Sequence, residues 1–518
     1  MRGKSSYLYV TAFASGMVSL AVELAASSLL RPHFGTANLV WAAIIGLILL
    51  YLAAGYFLGG RWADRSPRPA TLYQIVAWAA FLVGIVPFAA HPVLSLASSG
   101  LTESGFTEFD VFMLGGSFVT VLILFSIPVT LLGCISPFVI RLAVKDVESA
   151  GQTAGRVYAI STAGSFLGTF LPDLLLVPTI GTRNTFILMS LLLLVVALLG
   201  LARTAPRRLP LYLCMPVAIV LLAILLRGQP VKAAAGAIYE TESGYNYIQV
   251  VEQEDGCRHL LLNEGGGIHS VYCPDELRTP GPWDYFLIAP YFNPPPYIPN
   301  QVGGMALIGL AAGTTARQYT AVYGPLPIDG VEIDPKITDV GREYFAMNQP
   351  NLNVVVADGR YFLAHSDRRY TIIGVDAYRL PYIPPHLTTV EFFRQVRDHL
   401  TRDGVVAINV GHTPKDYRLV EAMLATLLQV FPSAHVIDIP NSFNAIVVAT
   451  VQPSAAGNLE SNLPVLEDDD FLYPTALEAV ANLRPTQPSA VVFTDDRAAI
   501  ELMTNALVFD FVLGGGMR

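Results

Sequence analysis

Met305-Ala306-Leu307-Ile308-Gly309-Leu310-Ala311-Ala312-Gly313-Thr314, followed by Ile328-Asp329-Gly330-Val331-Glu332-Ile333-Asp334, decides the fold of the C-terminal half. A short apolar run ending in glycine reads as a buried strand. Gly309-x-x-x-Gly313 lets a ligand approach the backbone closely and opens a helix near Thr314. Glu332 falls about 20 residues later, where an acid at a strand end hydrogen-bonds ribose hydroxyls. Downstream, Val354–Ala357 leads to Asp358-Gly359-Arg360, and Thr371–Val375 leads to Asp376. Val405–Val410 and Ala445–Val451 complete the strands. Strands alternating with helical stretches predict a doubly wound parallel sheet of Rossmann type, with its site at the strand C-termini. Asp358 and Gly359 suit an adenine amine and its close approach. The chain has no Walker lysine and no second phosphate-cradling glycine, which argues against ATP and dinucleotides.

Working outward, the region before this sheet is β-rich. Tyr245–Val251, Cys257–Asn263 and Ile268–Cys273 read as short strands, with Gly265, Gly266 and Gly267 in the last turn. If that hairpin turns about Gly265, residues whose numbers sum to 530 face each other, and Cys257 and Cys273 do. A cross-strand disulfide is then available, whereas a one-residue slip leaves two free thiols. Disulfides persist on the oxidising side of a membrane. Cys134 and Cys214 lie in apolar spans and act as small apolar residues.

The N-terminal half is of another kind. The chain has 518 residues, 53% of them hydrophobic and only 14% charged, and a mean hydropathy of +0.48. Seven spans of the length needed to cross a bilayer are expected, at 7–30, 38–60, 71–97, 111–140, 152–176, 183–202 and 209–227. The fourth holds Pro128 and Pro137 and is expected to kink or divide. Gly55-x-x-x-Gly59 and Gly164-x-x-x-Gly168 let helices pack closely. Glu23, Asp173 and His91 are ionisable groups at or within spans, expected to serve function, a buried pairing with Arg31 or Arg183, or a helix-end position. No cleavable signal peptide is expected, because the first apolar run is long and lacks a small-residue cleavage site.

Charge divides along the same line. Residues 1–230 hold 14 Lys+Arg and 8 Asp+Glu, and the remainder hold 18 and 33. A basic membrane half joined to an acidic soluble half argues against nucleic acid as a partner. Arg61, Arg65 and Arg68 follow span two; Arg141, Lys145 and Arg156 follow span four; Arg203, Arg207 and Arg208 follow span six. The positive-inside rule makes these loops cytoplasmic, and seven spans then place the C-terminal domain outside. A miscounted span reverses that side.

Residues 240–450 resemble spermidine synthases, the polyamine aminopropyltransferases. Tyr245-Asn246-Tyr247-Ile248 resembles their Tyr-Gln-x-Ile segment. Leu262-Asn263-Glu264-Gly265 with Ile268-His269-Ser270 resembles the Leu-Asp-Gly…Gln segment, and Asp275-Glu276 the acids after it. Gly309-Leu310-Ala311-Ala312-Gly313 stands for Gly-Gly-Gly-Asp-Gly, and Val331-Glu332-Ile333-Asp334, Asp358-Gly359 and Asp376 match. Fusion to a multi-span half is similar to a bacterial version of that family.

The resemblance implies three units. These are a transmembrane helical domain (1–230), a small β-domain (236–300) and a Rossmann-like catalytic domain of the class I methyltransferase/spermidine synthase type (301–518). It implies transfer of an aminopropyl group from decarboxylated S-adenosylmethionine to a small amine or polyamine, by a lipid-embedded homo-oligomer, a dimer in the simplest case, with no metal. Asp376 would be the catalytic base. Asn246, His269, Gly309, Ala311, Gly313, Glu332, Asp358 and Gly359 would hold the donor. Trp283, Asp284, Tyr378, Asp495 and Asp496 would line the acceptor side.

The departures matter. Ala312 and Arg379 stand where the family has carboxylates, which weakens the case for a dicationic amine. Phe493-Thr494-Asp495-Asp496-Arg497 could return two acids to the site, or serve only as a helix start. The same sheet also suits a methyltransferase using S-adenosylmethionine itself. The loop Gly59-Gly60-Arg61-Trp62-Ala63-Asp64-Arg65 resembles the G-x-x-x-D-R loop of major facilitator transporters, so a transporter or sensor with a nucleoside-binding module is a third reading.

Overall fold

The computed structural model describes residues 2–34, 38–98, 109–227, 229, 232, 234–263, 265, 267–279, 281–379 and 382–513. Glu264 and Gly266 of the expected turn, and the side chain of His91, lie outside them. Contacts divide the chain into two compact units. One comprises Met1–Ala233 with Glu240–Tyr247 and Asn263–Gly265; the other holds the rest.

The first unit is built of helices α1 (Arg2–Phe34), α2 (Asn38–Arg65), α3 (Pro69–Ser98), α4 (Phe109–Ala143), α5 (Ala150–Leu171), α6 (Val177–Thr204) and α7 (Leu209–Leu225). Six apolar stretches among the described residues are long enough to cross a membrane by length and composition. The fifth, Ala150–Thr204, is 55 residues long and contains both α5 and α6. Its backbone breaks at Gly181, with φ 80° and ψ 164°. Side-chain neighbours show that the break reverses the chain.

Gly164 abuts Phe13 and Gly168 abuts Met17, so α5 runs in the direction of α1. Gly200 lies on Tyr73 and Gly84 on Ser190, so α6 runs against α3. Likewise Gly55 meets Thr130 and Gly59 meets Cys134, so α2 and α4 are parallel. None of these glycines has room for a Cβ, which is how small residues let helices close on one another. The Tyr7 hydroxyl near the start of α1 donates to the Val196 carbonyl toward the end of α6, while Arg31 at the end of α1 lies by Asp173 just before α6, so α6 runs against α1 and hence against α5.

α4 is one continuous helix despite Pro128 and Pro137, and does not divide as the prolines suggested. A proline in a bundle is tolerated where neighbours satisfy the freed carbonyl. Arg183, one of the candidate partners for an intramembrane acid, donates to the carbonyls of Leu226 and Gln229 at 2.9 and 3.3 Å, tying the start of α6 to the end of α7. Asp173 has Arg31 as its opposite charge. Glu242 accepts a 2.7 Å hydrogen bond from the Thr182 amide, capping α6 where it restarts after Gly181. Residues 59–65, expected as a loop, are instead the last two turns of α2, and Asp64 among them pairs with Arg141 at 3.0 Å.

A four-stranded sheet of β1 (Ala237–Glu242), β2 (Tyr247–Glu252), β3 (Arg258–Leu262) and β4 (Ile268–Tyr272) pairs in chain order. Arg258 faces Tyr272 and Leu260 faces Ser270, the register in which residue numbers sum to 530. Cys257 and Cys273 continue it and are bonded, with Cα atoms 4.3 Å apart.

The second sheet has eight strands in the order β12-β10-β11-β9-β8-β5-β6-β7. These are β5 (Met305–Ile308), β6 (Ile328–Glu332), β7 (Leu352–Val356), β8 (Tyr370–Val375), β9 (Leu400–Gly411), β10 (Ser433–Asp438), β11 (Asn444–Thr450) and β12 (Leu483–Arg484). The five strands β7-β6-β5-β8-β9 are parallel, as expected, while β11, β10 and β12 add an antiparallel edge. Helices α8 (Trp283–Ile288), α9 (Thr314–Tyr323), α10 (Pro335–Tyr344), α11 (Gly359–Ala364), α12 (Val390–Asp398), α13 (Arg418–Leu427), α14 (Gly457–Ser461), α15 (Leu472–Ala481) and α16 (Ile500–Leu513) accompany it. One core holds Phe392, Phe393, Val420 and Met423, and a second holds Phe286, Tyr291, Tyr319 and Leu472. A sheet covered on both faces leaves its strand ends as the open place for a ligand.

Candidate active site

The C-terminal ends of β5, β6, β7 and β8 deliver Gly309, Glu332, Asp358 and Asp376 in turn. The loop after β5 is tightly wound: Gly309, Ala311 and Gly313 have φ of 90°, 47° and 88°. Ala311 therefore holds a left-handed conformation that side chains rarely adopt, a strain found at ligand-binding turns. Gly309 lies against the backbone of Asp376 and Ala377, leaving no space for a Cβ, and the Asp376 amide donates to the Ile308 carbonyl at 2.8 Å. The glycine loop and Asp376 are thus locked together through main chain.

Glu332 spans the loop from the next strand. One carboxylate oxygen accepts from the Ala311 amide and the other from the Asp334 amide, both at 3.0 Å. Burial pushes its carboxyl up to about 7 against the pull of those hydrogen bonds. From the opposite side, Ser270 accepts from the Ala312 amide at 2.9 Å. Thr314 both accepts from and donates to the Val271 backbone, at 2.8 and 2.9 Å. Strand β4, clamped at its end by Cys257–Cys273, thus braces the glycine loop.

Asp358 caps α11, accepting from the amides of Arg360 and Tyr361 with one oxygen, while the other meets His386 Nε2 at 2.7 Å. Gly359 is needed because α11 starts directly on the Ile308 side chain. The carboxyl of Asp376 is pushed up to about 6 by burial, although Asn409 Nδ2 donates to Oδ1 at 2.9 Å and favours the ionised form. The Tyr378 hydroxyl donates to the Asn409 carbonyl at 3.0 Å.

The other expected residues are placed differently. Asn246 belongs to the first unit and accepts from Asn263 at 2.9 Å. His269 is kept neutral, its ring pushed down to about 4 by burial, and Nε2 is enclosed without a hydrogen-bond partner. Trp283 packs with Val271 and the cystine. Asp284 is filled by the Thr279 amide and hydroxyl and by Gln318, with Arg278 nearby at 3.8 Å. Burial still raises it to about 6. Asp495 is held bidentately by Arg360 at 2.7 Å and by the Thr389 hydroxyl, while Asp496 is exposed. The structure therefore uses Asp284 and Asp495 to tie segments together.

Asn409 and His386 were not singled out from sequence, and Ser270 and Thr314 were named there only as neighbours of other site residues. Only Asn409 left a local signal, as the single polar residue in the apolar run Val405–Val410.

Residues 303–458 match the family model described as the spermine/spermidine synthase domain. The C-terminal half carries a spermidine synthase domain. Its curated relatives include a "Probable polyamine aminopropyl transferase" of Bifidobacterium longum (strain NCC 2705), 32% identical over 51% of this chain and 61% of that protein. A "Polyamine aminopropyltransferase" of Vibrio vulnificus (strain CMCP6) is 28% identical over 50% of this chain and 85% of its own length. Among solved structures, a probable spermidine synthase from Corynebacterium glutamicum ATCC 13032 aligns with 50% of this chain and 98% of its own, at a TM-score of 0.38 and 18% identity. The chain thus spans about three fifths of the Bifidobacterium protein. The residues matched by the family model include the glycine loop, Glu332, Asp358 and Asp376.

Proposed function

We propose that the protein is a membrane-anchored aminopropyltransferase that uses decarboxylated S-adenosylmethionine and an amine. The observation that carries this reading is the main-chain junction of Gly309 with Asp376, which sets a desolvated carboxyl at the rim of the nucleoside loop. Glu332 would take the ribose hydroxyls and Asp358 the adenine amine. The amine lone pair attacks the propyl carbon bonded to the sulfonium, and a C–N bond forms as the C–S bond breaks. The bonding pair returns to sulfur, leaving neutral methylthioadenosine. The proton shed by the new ammonium passes to Asp376, whose pKa near 6 keeps it ionised at neutral pH yet basic enough to accept. Sulfur is its own leaving group, so positioning supplies much of the rate.

In this reading α1–α7 cross the bilayer seven times, supported by the reversal between α5 and α6 at Gly181. With the arginine-rich loops cytoplasmic, the segment after α7 emerges on the other side, which agrees with a cystine in the synthase half. Purified protein assayed with decarboxylated and intact S-adenosylmethionine against a panel of amines tests the function. Aminopropylated amine from the decarboxylated donor supports it; methylated product from the intact donor alone replaces it with methyl transfer.

A further inference from the structure

Asp495 lies between β12 and α16, beyond residues 303–458 that match the family model. The main chain around it is anchored. The Val390 amide donates to the Phe493 carbonyl at 2.9 Å, the Phe493 amide donates to Thr426 Oγ1 at 3.0 Å, and the Asp495 amide donates to Glu391 Oε2 at 3.0 Å. The Asp495 carboxylate is thereby set between two segments that frame Asp358. On one side both of its oxygens accept from Arg360 at 2.7 Å, and the Arg360 amide is one of the two that Asp358 caps. On the other it accepts from the Thr389 hydroxyl at 2.7 Å. Thr389 caps α12 directly after the turn Pro385–Leu387 that carries His386, and Arg360 Nη1 also reaches the His386 carbonyl at 3.4 Å.

His386 in turn holds Asp358. A carboxylate only accepts, so their 2.7 Å contact requires the ring to present Nε2–H to Asp358 Oδ2. Oδ1 is taken by the first amides of α11, so Oδ2 is the oxygen with a lone pair to offer a ligand, and the side chain is 34% exposed. We infer that Asp495 is a positioning residue for the nucleoside: it staples the His386 turn to α11 and so keeps His386 aiming Asp358 at the adenine amine. The inference rests on the reading above in taking Asp358 as the adenine acid, and it removes Asp495 from the acceptor side. The Arg360 and Asp495 side chains are 22% and 42% exposed. A partly exposed pair adds little to stability, so its effect falls on aim rather than on folding.

The test titrates methylthioadenosine and its 6-oxo counterpart into the full-length protein, in wild type, Asp495→Asn, His386→Ala and the double variant. Wild type should prefer the adenine form, because a 6-oxo group offers the carboxylate no hydrogen. Asp495→Asn loses the charge and sets an NH2 against the guanidinium. It should bind methylthioadenosine about three- to tenfold more weakly and narrow the preference over the 6-oxo form, while the KM of the amine stays near wild type. His386→Ala should weaken the adenine form likewise. Adding Asp495→Asn to it should cost little more, because Asp495 acts through His386. Unchanged nucleoside affinity in Asp495→Asn, a raised amine KM in its place, or losses that add in the double variant would overturn the assignment and leave the adenine site standing. Wild type that binds both nucleosides equally, or neither, would overturn the role of Asp358 as well.

Discussion

Replacing Glu332 by glutamine removes one charge and turns one acceptor into a donor, at a position where both oxygens are in use. In the native site the two oxygens accept from Ala311 and Asp334. In Glu332→Gln the new NH2 must face one of those amides and cannot accept from it, so one buried N–H is left unpaired. That costs about 1–3 kcal/mol, felt as loosening of the glycine loop. The charged hydrogen bond proposed for the ribose is lost as well, worth about 1.5–3 kcal/mol, or a 10- to 150-fold weaker donor. The pH dependence gives a sharper sign. Burial raises the Glu332 carboxyl to about 7, so the ionised acceptor needed by ribose hydroxyls is filled in as pH rises through 7. Donor affinity of the native protein should therefore strengthen from pH 6 to pH 8, and that slope should vanish in Glu332→Gln. Calorimetric titration with the nucleoside at several pH values measures both. An affinity unchanged by the substitution would place the ribose elsewhere and refute the reasoning.

Asp376→Asn should lower kcat by about 10²–10⁴ while donor affinity changes little, and native activity should rise with pH through about 6 as Asp376 ionises; retained turnover in the variant would remove Asp376 as base. Gly309→Ala would force a Cβ into the Asp376 backbone at φ 90°, at a cost of about 1–3 kcal/mol in thermal stability or a displaced Asp376 with lost activity; a variant normal in both would show the junction to be incidental. For the membrane unit, reporters fused after Arg208 and after residue 518 should report opposite sides. Cys257 and Cys273 should resist thiol reagents until reduced, and both reporters on the cytoplasmic side would contradict the seven-crossing reading.

The strand-end residues were legible because each sits at a change of pattern: an apolar run stops, and a glycine or acid follows. That is a local signal, and Gly309, Glu332, Asp358 and Asp376 all gave it. The cystine was one of the two outcomes hairpin register left open; the register summing to 530 holds from Arg258 to Leu260 and shifts only nearer the turn. What the sequence hid was pairing across distance. Asp495 looked like a spare acid for the site, yet Arg360, 135 residues away, holds it. Asp284 looked available until folding brought Gln318 and Thr279 around it. β10, whose Ser433–Asp438 run is only partly apolar, and the two-residue β12 lacked a strand pattern of their own and form by pairing with β11 and β10. The reversal between α5 and α6 was legible: Gly181 falls between the expected spans 152–176 and 183–202.

The central claim is best tested by mass spectrometry of a primary amine incubated with the detergent-purified full-length protein and decarboxylated S-adenosylmethionine. The account predicts an aminopropyl adduct on the amine and one equivalent of methylthioadenosine, both abolished in Asp376→Asn. A methyl adduct formed from intact S-adenosylmethionine, with no transfer from the decarboxylated donor, would contradict it.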